Sequence, residues 1–598
     1  MIEKMTKYSF ILLSGEEKDF LSRLQELGML DITRSVKPVD SHSSEILSEA
    51  ESYQRLMTEL GKVEIPEGTV PSYPEKDIVE AAQEALTSLE RLTEERKAAL
   101  KAYAFALPWG SFESNKLLAL QEAGLHVHFH AVQAKAFREE WKETVPLSII
   151  SEEKGRIRFV TVLPAGESDP LPGEIHAPEE TPELIKNRIG ELEARIDSTK
   201  SLLLGIREKI GEIDRRYRSE LSVLDLYLAG VAAVPAAENT VVTLVGFAPT
   251  SEDASVKKAL DETGVFYFTE EARTEENPPI KLKNNRFVRM FEVFTDMYGR
   301  PAYNEFDPTP FISVFFLLFF AFCMGDAGYG LILILVGFLL KKVDSFKSYA
   351  PIVVTLGIGT TVIGFLFHTF FSMDISTWKL FEPIKGIFLP GKIAGYDGTM
   401  VLSIIVGVIH LCLAMVVKTW NETKNKGLGG SLGTWGWTLL IVGGVIVGAF
   451  ALTGVLNAAV TKWIIIVLGI VSALGIFVFN DPKRNKFANV GMGLWDTYNT
   501  ATGLIGDVLS YLRLYALGLA GGMLGLAFNN IGQMVLGDGS SIVRWIPFIL
   551  IVLIGHTLNI AMAALGAFVH PLRLNFLEFF KNSGYEGSGR NFHPLQNQ

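Results

Sequence analysis

The stretch that decides the architecture is Ala501 to Leu536, ATGLIGDVLSYLRLYALGLAGGMLGLAFNNIGQMVL. It is long enough to cross a bilayer, and Arg513 stands about a dozen residues inside it. A guanidinium cannot shed its charge, so burying it in hydrocarbon costs several kcal/mol unless a carboxylate, a cavity or packed polar groups receive it. A second arginine, Arg573, lies on the next such run, Ser541 to Phe580. Two permanent cations on apolar spans point to an ion path.

Working outward, the 598 residues divide into two compositions. The first 300 residues carry 37 Lys or Arg against 52 Asp or Glu. That is an acidic, water-soluble part, with no basic surface for a nucleic-acid partner. Beyond Thr309 come repeated apolar segments separated by short polar loops, so this half belongs in membrane lipid. The stretch Met1 to Ser14 is too brief to supply a signal peptide's hydrophobic region, which keeps the soluble half in the cytoplasm. Cys323 and Cys412 both fall in apolar segments, so no disulfide framework is expected.

The soluble half carries coiled-coil periodicity twice. Ile185, Ile189, Leu192, Ile196, Thr199, Leu203, Ile206, Ile210, Ile213, Tyr217 and Leu221 alternate steps of four and three. Read as one helix, this element extends roughly 60 Å. A weaker seam between Lys76 and Tyr103 (Val79, Ala82, Leu86, Leu89, Leu92, Leu100) offers an antiparallel partner. Between them, Val127–Ala131 and Ile157–Val162 read as strands of a small lobe near 106–175. A second lobe is expected near 1–70 with 236–275, pairing Tyr8–Leu13 with strands near Thr240–Gly246 and Val265–Thr269. The coiled coil then occupies 76–105 and 180–228. His128 and His130 alternate on one strand face without a Cys or carboxylate cluster nearby, so they read as solvated histidines rather than metal ligands; no cofactor is implied.

The segment Phe311 to Leu340 is too long for one upright span, and Gly325-Asp326-Ala327-Gly328 at its centre favours a sharp turn between two short ones. With two spans there, the loops bearing Lys341, Lys342 and Lys347, then Lys418, Lys424 and Lys426, then Lys483, Arg484 and Lys486 all fall on the side of the soluble half, as the positive-inside rule requires. The expectation is therefore an α-helical polytopic membrane protein of eight spans, near 310–323, 326–341, 351–371, 399–417, 432–455, 460–480, 501–536 and 541–580. The last two are long and tilted, and both termini are cytoplasmic. An N-terminal α+β part precedes them.

Measured from Ala501, Arg513 lies about 18 Å along its helix, whereas Arg573 sits near a helix end. Asn559, His570 and Arg573 share one broad polar stripe, with His556 at its margin. Ser510 is one turn from Arg513. Gly518, Gly521, Gly522 and Gly525 form a strip suited to close approach by another helix, while Asn529, Asn530 and Gln533 point mostly elsewhere.

Three segments together resemble the large membrane subunit of rotary V-type and A-type ATPases, called subunit a or subunit I: Ser510-Tyr511-Leu512-Arg513-Leu514-Tyr515-Ala516-Leu517, Asp307-Pro308-Thr309-Pro310-Phe311 through Gly325-Asp326-Ala327-Gly328-Tyr329-Gly330, and His570-Pro571-Leu572-Arg573-Leu574-Asn575-Phe576-Leu577-Glu578. The layout of the whole chain agrees, and its compact length is similar to the bacterial or archaeal form. The resemblance implies a stator facing a rotating ring of small membrane subunits, each with an ion-binding Glu or Asp. Arg513 would meet that carboxylate and Arg573 would share the task. Asn559, His570, His556, Ser510, Glu578 and Asp326 would line the half-channels. Gly521 and Ala563 stand where eukaryotic members carry His and Glu.

By the same resemblance, residues 1–300 would bind peripheral stalks and 301–598 would translocate ions, with central-stalk and nucleotide-binding head subunits elsewhere in the complex. The chain has no Gly-x-x-x-x-Gly-Lys-Ser/Thr motif, so it is not expected to be catalytic alone. A stand-alone secondary transporter and a structural membrane anchor are the alternatives. The first lacks the paired, interrupted halves such transporters show. The second leaves both arginines unexplained.

Overall fold

A computed structural model describes the chain apart from residues 36, 112–113, 154, 179, 237, 239, 380–381, 384–385, 387, 480–485, 538–541 and 598. Lys483 and Arg484, which entered the charge argument, lie outside the described residues. The chain divides into two compact units, Leu13–Gly28 with Thr33–Val242 and Leu595–Gln598, and Met1–Leu12 with Met29–Ile32 and Thr243–Pro594.

The first unit is built on helices α1 (Glu17–Leu27), α2 (Ser41–Lys62) and α3 (Ile78–Ala106), a small lobe with α4 (Ser114–Glu122) and α5 (Trp141–Thr144), and the returning helices α6 (Pro182–Glu208) and α7 (Ile210–Val231). Asp40 starts α2 with a capping box closed by Ser43, and Asp77 caps α3 through Val79 N–H. The expected single long helix is interrupted: Lys209, at φ −98° and ψ 17°, separates α6 from α7. The reason is a change of partner. Ile185, Leu192 and Ile196 bury against Leu92, Ala99 and Ala106 of α3, whereas Leu224 and Leu228 bury against Ile46 of α2. Near the junction, a Cβ on Gly205 would lie 2.0 Å from the Ser72 carbonyl oxygen, so a crossing strand of backbone presses on the helix just before it breaks.

The lobe holds a four-stranded sheet in which Leu125–Gln133 pairs antiparallel with Arg156–Pro164 and places Val127 opposite Val162. The expectation of solvated histidines fails at His130, which is fully buried. The 165–172 loop covers its strand face: His130 Nε2 lies 3.0 Å from Asp169, Thr161 Oγ1 donates to the same carboxylate, and the imidazole stacks on Phe159 at 4.9 Å. Burial disfavours ionised Asp169, but the hydrogen bonds from Thr161, Leu171 N–H and His130 outweigh it and hold the carboxyl below its usual range.

In the second unit, strand Met5–Leu13 pairs with Phe266–Glu271, Thr6 opposite Glu271 and Ile11 opposite Phe266, and Asp31–Ile32 pairs with Val241–Pro249. The two expected pairings of the N-terminal strand thus occur in one sheet of strand order Asp31–Ile32, Val241–Pro249, Met5–Leu13, Phe266–Glu271. Helices α8 (Asp253–Thr263), α9 (Arg286–Arg289) and α10 (Glu292–Tyr298) lead to the apolar set: α11 (Thr309–Met324), α12 (Ala327–Leu340), α13 (Ala350–Leu366), α14 (Gly398–Gly430), α15 (Leu432–Leu452), α16 (Ala458–Ala473), α17 (Lys486–Leu536) and α18 (Ile542–Arg573). Among the described residues, five helical stretches, beginning at Gly398, Leu432, Ala458, Asn489 and Val543, are long and apolar enough to cross a membrane; α11, α12 and α13 are shorter apolar helices.

The turn at Gly325–Gly328 has a clear physical cause. Gly325 takes the left-handed conformation at φ 54° to end α11, and the Asp326 carboxylate caps α12 through Gly328 and Tyr329 N–H. α17 begins at Lys486 rather than Ala501, so Arg513 lies about 40 Å along it instead of about 18 Å. An aromatic core that includes Phe291, Phe294, Phe316, Phe319, Phe579 and Phe580 joins α9–α11 to the end of the chain.

Candidate functional site

α17 and α18 lie antiparallel, because small residues at their seam let the backbones approach. A Cβ on Gly521 would sit 3.9 Å from Asn559 Oδ1 and 4.0 Å from Ala563 Cβ, and one on Gly566 3.7 Å from Leu517. The glycine strip therefore serves this chain's own packing at most positions. Gly518 closes on the Phe322 carbonyl and Gly525 on Ser372, and Gly522 alone of the four has open space around it.

Arg513 is half-buried between the fully buried Tyr511 and Leu514, and its Nη1 is buried without a hydrogen-bond acceptor. Its charge acts on Cys323, His570 and Glu578. Arg573 is exposed one helix turn from His570. Among the described residues neither arginine forms an ion pair. A half-buried guanidinium with no hydrogen-bonded carboxylate is a costly arrangement.

Toward the Lys486 end of α17, the polar groups are incompletely bonded. Glu578 is 4% exposed and its Oε2 has no partner; His570 Nδ1 and Asn575 Oδ1 are likewise buried and unbonded. Glu578 sits in the π-helical segment Leu574–Phe579 that follows Pro571 and Arg573. Proline removes one N–H from the ladder, and the widened turn it precedes is the kind that re-aims side chains at functional sites. Ser510 is near Glu578 and donates to Gly506 O at 3.0 Å. Beyond them Asn582 donates to Asp507 at 2.7 Å, and a polar recess lined by Lys418, Thr434, Asp496, Asn499, Asp507 and Lys581 opens at this end. His410 is fully buried, 2.9 Å from the Tyr511 hydroxyl and stacked on Phe579 at 4.7 Å.

Toward the Leu536 end the same helices meet a closed network. Asn559 Nδ2 donates to Gly521 O and to Tyr329 Oη, each at 2.8 Å. Tyr329 Oη lies 2.7 Å from His556 Nδ1, and His556 Nε2 lies 2.9 Å from Asn529 Oδ1. Asn529 Nδ2 donates to Phe371 O at 2.9 Å, so this residue turns into the cluster and not away from it as expected. Asp326, 3% exposed, accepts from four backbone N–H groups: Gly328, Tyr329, Phe371 and Ser372. Those bonds hold a loop in which His368, Phe371 and Ser372 all have φ between 47° and 58°. Such strain persists only where surrounding bonds over-determine it. A second recess runs from Asp326 and Tyr329 past His368 and Ser372 to Leu514, Gly518 and Gly522 of α17.

The structure thus gathers Asp326, His556 and Asn559 at one end of the helix pair, and Ser510, His570 and Glu578 at the other, with Arg513 beside the second group. Tyr329, Ser372, His410 and Asp507 were not singled out from sequence. Tyr329 alone left a signal, since it stands one helical turn after Asp326 and so faces the same way.

Residues 176–379 and 496–597, just over half of the chain, match the V-type ATPase 116 kDa subunit family. The chain is 32% identical over 378 residues to the A-type ATP synthase subunit I of Methanocaldococcus jannaschii, covering 58% of this chain and 54% of that protein. It is 33% identical over 334 residues to the protein of the same name from Pyrococcus abyssi, covering 54% and 48%. It thus spans about half the length of these archaeal relatives. With the V-type ATP synthase subunit I of Borreliella burgdorferi it aligns over 100% of this chain and 99% of that one, at 24% identity. A crystal structure of the cytoplasmic N-terminal domain of subunit I, a homolog of subunit a of V-ATPase, overlaps 45% of this chain at 14% identity, with a TM-score of 0.18 too low to carry an argument.

Proposed function

The chain belongs to the V-type ATPase 116 kDa subunit family, and from that premise we propose that it is the membrane stator of a rotary ATPase, forming two ion half-channels against a ring of carboxylate-bearing subunits. The observation that carries this reading is Arg513: a half-buried guanidinium with one buried nitrogen that has no acceptor among the described residues. A ring carboxylate arriving there is held ionised by the fixed cation, gives up its proton, and cannot carry it straight from one half-channel to the other.

The recess at the Lys486 end, leading to Ser510, Glu578 and His570, is one half-channel, and the recess at Asp326 and Tyr329 is the other. Arg573 shares the electrostatic barrier. The apolar helices make eight spans, with α11, α12 and α13 short, and both termini lie in the cytoplasm. Residues 1–300 hold the peripheral stalks against torque while 301–598 conduct. ATP chemistry belongs to the head subunits, so the chain by itself hydrolyses nothing.

The test is purification in mild detergent followed by reconstitution. The stator reading expects a ring, stalk subunits and a nucleotide-binding head to co-purify, and expects ATP-driven ion transport that Arg513→Ala abolishes without loss of assembly. Ion flux by the isolated chain would instead make it a stand-alone transporter.

A further inference from the structure

Within the closed network the Tyr329–His556 and His556–Asn529 bonds take their direction from the His556 tautomer. Asn559 donates to Tyr329 Oη, so the tyrosine's own proton is free to point at His556 Nδ1, 2.7 Å away. That fixes neutral His556 with its proton on Nε2, donated to Asn529 Oδ1. Beside Tyr329 lies Ser372, whose Oγ is buried and has no settled acceptor or donor. It is packed tightly there, since a Cβ on Gly525 would fall 2.0 Å from Ser372 Oγ and 3.0 Å from Asn559 Nδ2.

We propose that Tyr329 is a positioning residue that makes His556 a proton-holding station, with Ser372 as the reserve acceptor. When a proton adds to His556 Nδ1, the Tyr329 O–H turns from that nitrogen toward Ser372, whose side chain must itself turn for Oγ to accept it. The new Nδ1–H then donates to Tyr329 Oη. One proton is gained, and discharge is the reverse movement. The charge so created faces the Asp326 carboxyl group, which accepts four backbone N–H bonds. The titratable and charged groups facing His556 are Tyr329 and Asp326 of α12. α17 presents the neutral Asn529, and the covering loop presents Phe371 and Ser372 and carries His368 paired with Asp374 at 3.1 Å. Asp326 has both oxygens committed to backbone, so the cluster offers no free carboxylate to a metal cation and suits a proton instead.

This rests on the stator reading, and the experiment separates the two. The complete complex is reconstituted in vesicles in sodium-free buffer, and ATP-driven acidification is followed across a range of pH on the side this cluster faces. Tyr329→Phe is expected to slow acidification about ten-fold per assembled complex and flatten its pH dependence. Ser372→Ala, which keeps the loop's backbone bonds, is expected to change the pH profile in the same direction. Arg513→Ala is the control. If it pumps normally, the stator reading fails. If it is dead while both other variants keep the wild-type profile per assembled complex, the proton station is overturned and the stator reading stands.

Discussion

The two ends of the α17–α18 pair use similar residues to opposite ends. At the Leu536 end His556, Asn559, Asn529 and Asp326 are buried and bonded to one another or to backbone. At the Lys486 end Glu578, His570, Asn575 and Arg513 each hold a buried atom with no partner. Buried polar groups are normally satisfied, and each exception costs about 1–3 kcal/mol. The closed end is complete as folded except at Ser372 Oγ. On the stator reading proposed above, the open end is where a carboxylate of another polypeptide would dock.

The contrast breaks most visibly at Arg513. Arg513→Ala is expected to lower coupled transport by at least about 100-fold with assembly intact, measured as ATP-driven acidification of vesicles; retained coupling would show that the open end awaits nothing. Asp326→Ala should act on stability, costing about 2–3 kcal/mol through the lost cap and two stranded loop N–H groups, read as a thermal shift of the purified complex. An unchanged melting temperature would mean the closed end is not held by its bonds. Arg573→Ala, at an exposed position, is expected to slow transport only about five-fold, and a loss equal to that of Arg513→Ala would make the two cations one unit.

Glu578→Gln sharpens the comparison from the other side. It keeps the shape while removing an ionisable group that is incompletely bonded, so stability should change by less than about 1 kcal/mol while transport slows; a large drop in melting temperature would place Glu578 with the closed cluster. The smallest effect belongs to a closed cluster in the first unit. Asp169 has a depressed pKa, so its contribution to stability is present above the unfolded carboxyl value of about 3.9 and is lost as pH falls through the folded value. Asp169→Asn should therefore lessen acid destabilisation of that unit, followed by proteolysis between about pH 5 and pH 3, and should leave transport untouched.

The sequence was legible where period and punctuation agree. Gly325 and Asp326 announced the turn between α11 and α12, because one supplies a left-handed end and the other a cap. The strand at Tyr8–Leu13 and its partners were readable from their β-branched and apolar residues, although the strand starts earlier, at Met5. The break at Lys209 was not, since the heptad continues through it and only the change of partner from α3 to α2 interrupts the helix. His130 misled for the same reason: its strand face is polar in sequence, and a distant loop buries it.

What the amino-acid order settled by itself was the pair of cations on apolar helices, the acidic composition of the first half and the family motifs, because charge and hydropathy are properties of residues wherever they lie. What the tertiary structure decided was which polar groups find each other. Tyr329 and His556 are 227 positions apart and Asp326 and Ser372 are 46 apart. Hydrogen bonds depend on a few tenths of an ångström, and no spacing along the chain encodes that.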